Sequence, residues 1–183
     1  MKQKIILFVC ILTIMAMVPV FGLHTALQKT VSQDKKQTDN INADDICKMI
    51  AYVCDTSYCD ESVKAVSQLI KTNIAAGHRY EQKETDNDLF NRVKKLYHSS
   101  TPVITLKGKR EYIPFAVCSN GMTEYDKKLP YLSSVASPWD YFSKHYDKQA
   151  ACVGVSLDGL DYLCKNGLSA QQALKWYLPE MDS

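Results

Sequence analysis

The stretch that decides the fold runs Cys118-Ser-Asn-Gly-Met-Thr-Glu124 and continues as Leu129-Pro-Tyr-Leu-Ser-Ser-Val-Ala-Ser-Pro-Trp-Asp140. An apolar run at 112–117 leads into the first part and reads as a strand. The Ser-Asn-Gly sequence that follows is typical of a tight turn. The Tyr-Leu-Ser-Ser-Val run of the second part predicts another strand, which ends on Ser-Pro-Trp-Asp. We therefore expect a strand, a polar turn and a second strand at the centre of the domain.

Around this centre, the spacing of apolar residues and the capping signals predict four helices. Asn42 can cap the first helix, and Asp60 opens a second one that Gly77 should stop. A third helix is expected after the polar residues 85–88. Ser169 begins a Ser-Ala-Gln-Gln sequence, which is a capping-box signature for a last helix near the C-terminus.

Four short strands are expected between the third helix and the last one. They are 102–106, 111–118, 131–135 and 150–155, and residues 107–110 read as a hairpin turn between the first two. Helices, then antiparallel strands, then a helix is the order of an α+β domain. We predict an α+β fold in which N-terminal helices pack on a mainly antiparallel sheet, with a C-terminal helix.

The N-terminal part of the chain reads as an export signal. Residues 5–23 are almost wholly apolar and follow two lysines, which is typical of a start–transfer segment long enough to span a bilayer. Residues 1–23 would be a membrane anchor, or alternatively a cleaved signal, and 24–41 a polar stalk. Both alternatives make 42–183 an extracytoplasmic domain, either membrane-anchored or secreted.

The charge balance argues against one class of function. Of the 22 basic residues, two precede the apolar segment, so the other 20 balance the 20 acidic residues. A nucleic-acid-binding domain normally has a basic face. We therefore expect no nucleic acid among the partners.

Seven cysteines are many for a chain of this length, and six of them lie beyond the apolar segment. Six cysteines allow 15 complete pairings, and an exported domain can oxidise them, although buried free thiols are equally compatible with the sequence. The spacings are not CxxC and no histidine lies close to a cysteine pair, so zinc is the weaker interpretation. We expect no metal and no cofactor. The six are Cys47, Cys54, Cys59, Cys118, Cys152 and Cys164.

The central stretch resembles the core of the stage II sporulation protein D family, also called the SpoIID/LytB domain. Members carry a Ser-Gly-Gly-x-Thr-Glu turn followed by a Pro-Tyr-Leu-x-Ser-Val-x-Ser-Pro strand at this point. The resemblance extends, in the family's order, from the helix pair at 46–73 to Val153-Gly-Val-Ser156 and Leu174-Lys-Trp-Tyr-Leu-Pro179. Family members are exported peptidoglycan-active proteins, and several are lytic transglycosylases. The resemblance implies a cell-wall protein whose ligand is the peptidoglycan glycan strand.

This chain departs from the family at the residues that carry the chemistry. The family's catalytic glutamate ends the first helix, and Val53 occupies that position here. Lys71 replaces an arginine, Ser133 replaces a residue that is often basic, and 151–152 read Ala-Cys in place of His-Gly, although Tyr131 is retained. Valine can neither donate nor accept a proton. The departures imply a catalytically weak or inactive member.

Several residues remain candidates for a site. Asp55 lies two residues after Val53 and is the candidate for a relocated acid, although a solvated loop aspartate has the same pattern. Lys71 and Tyr131 complete the candidate catalytic set. The polar turn is a candidate glycan-binding site, and an ordinary turn is the alternative. Trp139 could stack on a sugar ring, or it could belong to the core. The candidate glycan-binding residues are Ser119, Asn120, Gly121, Thr123, Glu124 and Trp139. We expect this turn to line a groove that faces the end of the first helix.

We therefore predict an exported protein that binds glycan or protein partners during sporulation or wall remodelling. Two alternatives stay open. One is an active lytic transglycosylase with a relocated acid, and the other is a disulfide-bearing interaction module without affinity for glycan.

Overall fold

The computed structural model describes residues 42–80, 85–97 and 103–182. All of them belong to one compact unit, Asn42–Ser183. The predicted anchor or signal segment and the polar stalk lie outside the described residues. None of the helices in the described part combines the length and the apolar character that a membrane crossing needs.

Most of the regular structure is helical, and the predicted helices are confirmed. Asn42 caps the first helix by accepting a hydrogen bond from the backbone N–H of Asp44. Gly77 follows the second helix with φ of 89°, a left-handed conformation that glycine adopts readily. Ser169 and Gln172 form both arms of the predicted capping box. The five α-helices of the described residues are α1 Ala43–Val53, α2 Asp60–Ala75, α3 Asn87–Tyr97, α4 Leu157–Lys165 and α5 Ala170–Tyr177.

Helix α2 is the centre of the core, because it contacts the other four helices. Apolar side chains such as Val66 and Leu69 are fully buried on it. Polar side chains are buried as well, and some are satisfied within the helix: Ser67 donates to the carbonyl oxygen of Val63, at 2.7 Å. A hydroxyl bonded to the preceding turn can be buried without the cost of an unpaired donor. This is why a helix of mixed composition can be covered on most of its surface.

Two elements were not predicted. Helix α4 begins at Ser156, whose side chain accepts from the backbone N–H of Gly159, and a 3₁₀ helix spans Pro138–Phe142. Gly159 and the buried Asp161 interrupt the apolar pattern by which an amphipathic helix is recognised. The central Ser-Pro-Trp-Asp stretch therefore ends in a helical turn and not in an extended strand.

The sheet is not the mainly antiparallel one that the sequence predicted. The strands of the described residues are β1 Phe115–Ala116 and β2 Val155–Ser156, and they pair in parallel. Pro114 has no N–H to donate and lies immediately before β1. Gly154, at φ of 83°, interrupts an extended conformation before β2. The coarser prediction, a domain of mixed helix and strand, is confirmed.

The other predicted strands are reduced to isolated bridges and irregular backbone in the part of the chain that the structure describes. The predicted hairpin turn does form, since Leu106 and Lys109 exchange backbone hydrogen bonds of 2.8 and 3.0 Å around Lys107 and Gly108. Both central residues have positive φ, as this tight turn requires. The pairing does not extend because Leu106 also bridges to Met181 at the C-terminus.

Candidate functional site

A cavity of about 280 Å³ lies where the segment after α1, the 3₁₀ helix with its following loop, and α4 come together. The three segments are far apart in the sequence. The wall is made of aromatic rings, carboxylates and bases: Asp55, Ser57, Tyr58, Trp139, Phe142, Ser143, Lys144, His145, Asp158, Asp161, Tyr162 and Lys165.

Asp158, in the first turn of α4, organises one side of this cavity. Its Oδ1 accepts a hydrogen bond from the Tyr58 hydroxyl at 2.6 Å. Its Oδ2 accepts from the Ser143 hydroxyl and lies 2.7 Å from Nδ1 of His145. Burial raises the pKa of Tyr58, and the bond to Asp158 raises it further, so this hydroxyl stays a neutral donor. The bond to Asp158 fixes the His145 ring with Nε2 turned toward Asp55, whose Oδ2 is 4.0 Å away.

Asp55 is held as an anion on the opposite side. Its Oδ2 lies 2.8 Å from Nζ of Lys144, and its Oδ1 accepts from the backbone N–H of Ser57 at 2.9 Å. The bond from Lys144 holds the pKa of Asp55 well below its ordinary value, and the bonds from Ser57 lower it further. A group that is ionised at neutral pH has no proton to deliver to a leaving group. In this arrangement Asp55 is suited to binding and not to general-acid chemistry.

Asp161 forms the floor by joining two helices. It accepts from the backbone N–H of Cys59 at 2.9 Å and from the hydroxyl of Ser62 at 2.6 Å. Its other oxygen lies 2.6 Å from Nζ of Lys165. A buried carboxylate is stable only when it is paired and hydrogen-bonded, and here all the partners are present. The neighbouring residue, Tyr162, is thereby placed at the cavity edge.

Aromatic rings form the remaining wall. Trp139 and Tyr162 are stacked, with ring centroids 5.9 Å apart and planes 5° apart. Trp176 meets Trp139 edge-on at 5.2 Å, and the indole N–H of Trp139 donates to the hydroxyl of Tyr177 at 3.0 Å. Phe142 is 81% exposed. Rings fixed in this way offer apolar faces with polar edges, which suits ligands that have both kinds of surface.

The structure brings together two of the residues that the sequence nominated, Asp55 and Trp139, and both line the cavity. Lys71 and Tyr131 are not among the lining residues. The Lys71 ammonium lies 4.7 Å from the centre of the Tyr97 ring. The Tyr131 hydroxyl donates to the carbonyl oxygen of Tyr112 at 2.8 Å.

The polar turn does not line the cavity either, although it is fastened to the 3₁₀ helix behind it. Ser119 is buried and donates to Asp140 from both its backbone N–H and its hydroxyl. Thr123 is also buried; its N–H donates to the carbonyl oxygen of Val135, and its hydroxyl oxygen accepts from the Val135 N–H. These groups are engaged inside the protein, so they stabilise the turn.

The other candidate residues of the turn are less buried than Ser119 and Thr123. Gly121 has φ of 103°, and a side chain there would meet the Tyr141 ring. Glu124 is exposed, while its backbone N–H donates to the carbonyl oxygen of Cys152 at 2.7 Å. Asn120 is partly exposed. A glycan-binding role for this turn stays a prediction.

The sequence analysis missed Tyr58, His145 and Asp158, which form the best-ordered polar group of the cavity. His145 and Asp158 are 13 residues apart, and Tyr58 lies 100 residues before Asp158, so no local spacing announces them. The nearest signal was the Ser-Lys-His run at 143–145, shortly after Ser-Pro-Trp-Asp. Among the described residues, no three His, Cys, Asp or Glu side chains are arranged to hold a metal ion.

No protein-family model matches the chain, and no curated protein matches it significantly. The resemblance to the SpoIID/LytB domain therefore depends on the motifs quoted from the sequence.

The ionised state of Asp55 has a consequence for stability against pH. A carboxylate whose pKa is lowered by folding stabilises the folded state above its unfolded pKa, near 4, and this contribution is lost as the pH falls toward the folded value. We expect Asp55→Asn to be less stable than the wild type at pH 7, with a difference that shrinks steadily below about pH 4. Urea unfolding of both proteins between pH 7 and pH 2 measures it. A difference that is constant with pH would mean that the carboxylate charge contributes nothing.

Proposed function

We propose that this protein is an exported, cell-wall-associated SpoIID-like protein that binds peptidoglycan glycan strands and cleaves them weakly or not at all. The observation that carries the proposal is the cavity in which an ionised carboxylate, Asp55, lies beside the stacked Trp139–Tyr162 pair. An N-terminal anchor would keep the domain at the membrane, where it would act with protein partners in sporulation or wall remodelling.

The cavity has the features that a sugar needs. A pyranose ring has apolar C–H faces and polar edges, so it binds where an aromatic face adjoins fixed hydrogen-bonding groups. Tyr162 is 40% exposed and offers such a face. Asp55, Lys144 and His145 supply acceptors and donors on the facing side, and their mutual contacts fix them before a ligand arrives. Groups that are already ordered lose little entropy on binding.

The same residues argue against efficient cleavage. A lytic transglycosylase must protonate the glycosidic oxygen, which needs a carboxylic acid with a raised pKa. The position of the family's glutamate is Val53, and Asp55, which lines the cavity, has a lowered pKa because of Lys144. Neither residue can deliver a proton at neutral pH. The other two cavity carboxylates, Asp158 and Asp161, already accept hydrogen bonds from neighbouring protein groups.

The test is a peptidoglycan pull-down with full-length protein. We expect Tyr162→Ala to weaken binding by about 5–100-fold, on the scale of base–aromatic stacking, which is worth about 1–3 kcal/mol per base. Tyr125→Ala is the matched control, because Tyr125 is also an exposed tyrosine, at 57% against 40%, and does not line the cavity. Equal binding by the wild type and Tyr162→Ala would remove the cavity from the proposal. No binding by the wild type would favour the interaction module without glycan affinity.

An active lytic transglycosylase with a relocated acid is the second candidate. What favours it is that Asp55 does line the cavity, with a histidine nitrogen 4.0 Å away. It requires a ligand that displaces Lys144 from Asp55 and so restores the carboxyl proton. Mass spectrometry of products from purified peptidoglycan decides between the two candidates.

A further inference from the structure

Two cysteine thiols converge on one hydroxyl group beneath the cavity. Cys59 caps the N-terminus of α2, and its Sγ lies 3.0 Å from Oγ of Ser62. Asp161 holds α4 against the start of α2 at this point, since it accepts from both the Cys59 N–H and the Ser62 hydroxyl. Cys164 lies on α4 three residues after Asp161, and the Ser62 hydroxyl lowers the pKa of its thiol. Both thiols therefore lie close to Ser62.

Cys59 also affects the acidity of the Cys164 thiol. Burial raises the pKa of Cys164 to about 12, Ser62 lowers it, and the nearby Cys59 raises it again. Their exposure differs in a useful way: Cys164 is buried, whereas Cys59 is only partly covered. A soluble oxidant can therefore reach Cys59 first.

We propose that Cys59 and Cys164 are a redox modification site and form a disulfide bond when the domain is exported. The proposal goes beyond glycan binding and rests on the export that the proposed function includes, since disulfides persist in an oxidising compartment. Formation needs the Ser62 side chain to rotate away and the two sulfurs to close on each other, while the Asp161 contact to the Cys59 N–H keeps the helices in place.

The oxidant is a disulfide, either of a small thiol or of a thiol–disulfide oxidoreductase. The Cys59 thiolate attacks one sulfur of that disulfide, which gives a mixed disulfide and releases one thiolate. The Cys164 thiol then loses its proton and attacks the Cys59 sulfur, which forms the new S–S bond and releases the second thiol. Two protein thiols are oxidised to one disulfide, and one oxidant disulfide is reduced to two thiols.

The other described cysteines are less suited. Cys47, in the middle of α1, and Cys54, at its C-cap, are seven residues apart, about 10 Å along the helix axis, which is too far for a disulfide. Cys118 raises the pKa of Cys152, but both are buried, so an oxidant reaches neither directly.

A bond at this position would tie the beginning of α2 to the end of α4. It closes a loop of about 105 residues, and long loops give the largest entropic stabilisation. Asp161 and Tyr162, which line the cavity, belong to α4 and lie within one turn of Cys164.

The test uses the full-length chain in detergent, fully reduced and then equilibrated, while folded, with glutathione at increasing oxidised-to-reduced ratios. Remaining thiols are blocked with N-ethylmaleimide, and the digest is mapped by mass spectrometry. We expect a peptide pair joined through Cys59 and Cys164. We also expect oxidation to raise the thermal midpoint by about 5–15 °C. Cys59→Ser should show neither effect, and serine is a residue that the N-cap position favours.

Two results would overturn the proposal. One is a map in which Cys59 and Cys164 both carry the blocking group at the most oxidising ratio. The other is a cross-link between different cysteines, Cys118 and Cys152 above all. The peptide map of the wild type decides by itself should the serine variant fail to fold.

Discussion

Gly159→Ala is expected to lower the free energy of unfolding by about 1–3 kcal/mol, although alanine favours helix formation by about 1 kcal/mol over glycine. A Cβ on Gly159 would lie 2.7 Å from Oδ1 of Asp140 and nearer still to the hydroxyls of Ser137 and Tyr177. All three side chains are buried, so they cannot move aside into solvent. Urea unfolding of the wild type and the variant measures the difference.

Two further variants identify the cause. Gly77→Ala is the matched control, because nothing lies within 4 Å of its added Cβ and only its positive φ, 89°, opposes the change. In a Tyr177→Phe background, Gly159→Ala should cost less than it does alone, since the closest atom is gone; the difference is a coupling energy. If Gly159→Ala is as stable as the wild type, the side chains around Gly159 can move to admit a methyl group. The close packing around Asp140 then does not contribute to the free energy of unfolding.

The second large effect concerns catalysis. The wild-type protein should release anhydro-muropeptides from purified peptidoglycan more slowly than an active SpoIID lytic transglycosylase does. The expected difference is about 10²–10⁴-fold, because the loss of a general acid typically lowers a rate by this factor. The reason is Val53 at the position of the family's glutamate, together with the ionised state of Asp55. Val53→Glu should recover part of the rate, with Val53→Gln as the matched control that cannot donate a proton as an acid.

Mass spectrometry of the soluble products measures both variants. Recovery is expected to be incomplete, because Lys71 replaces an arginine and lacks its bidentate geometry. Rapid turnover by the wild type would contradict the proposal. Asp55→Asn would then abolish that turnover if Asp55 is the relocated acid.

The helices that could be predicted are those whose signals are local. Asn42 and the Ser169–Gln172 capping box act within three residues of themselves, and both are observed. Helix α4 was missed because the reasons for Gly159 and Asp161 are tertiary contacts. Gly159 leaves room for the Tyr177 hydroxyl, and Asp161 accepts a hydrogen bond from Ser62 on α2. The sheet was mispredicted for a related reason. The strand predicted at 111–118 contains Pro114, and proline cannot supply a ladder donor.

Only part of the candidate site could be predicted from the sequence. Asp55 follows directly from its place after the first helix, and Trp139 from the Ser-Pro-Trp-Asp motif. His145 has no neighbour in the sequence that suggests a function, because its partner, Asp158, comes from another element and is itself held by Tyr58. The hydroxyls of Ser119 and Thr123 looked available for sugar, since a sequence does not show which polar groups are used up by buried partners.

The bonds of Tyr58 and Ser62 to α4 also set the order in which the molecule can form. They join residues 100 and 99 positions apart in the chain, and contacts of such long sequence separation form slowly because a large loop must close first. The partners of Tyr58 and Ser62 are therefore missing until α4 has been synthesised. A chain that emerges N-terminus first must keep the side of α2 that contacts α4 and α5 exposed until then, and transiently exposed apolar surface promotes aggregation.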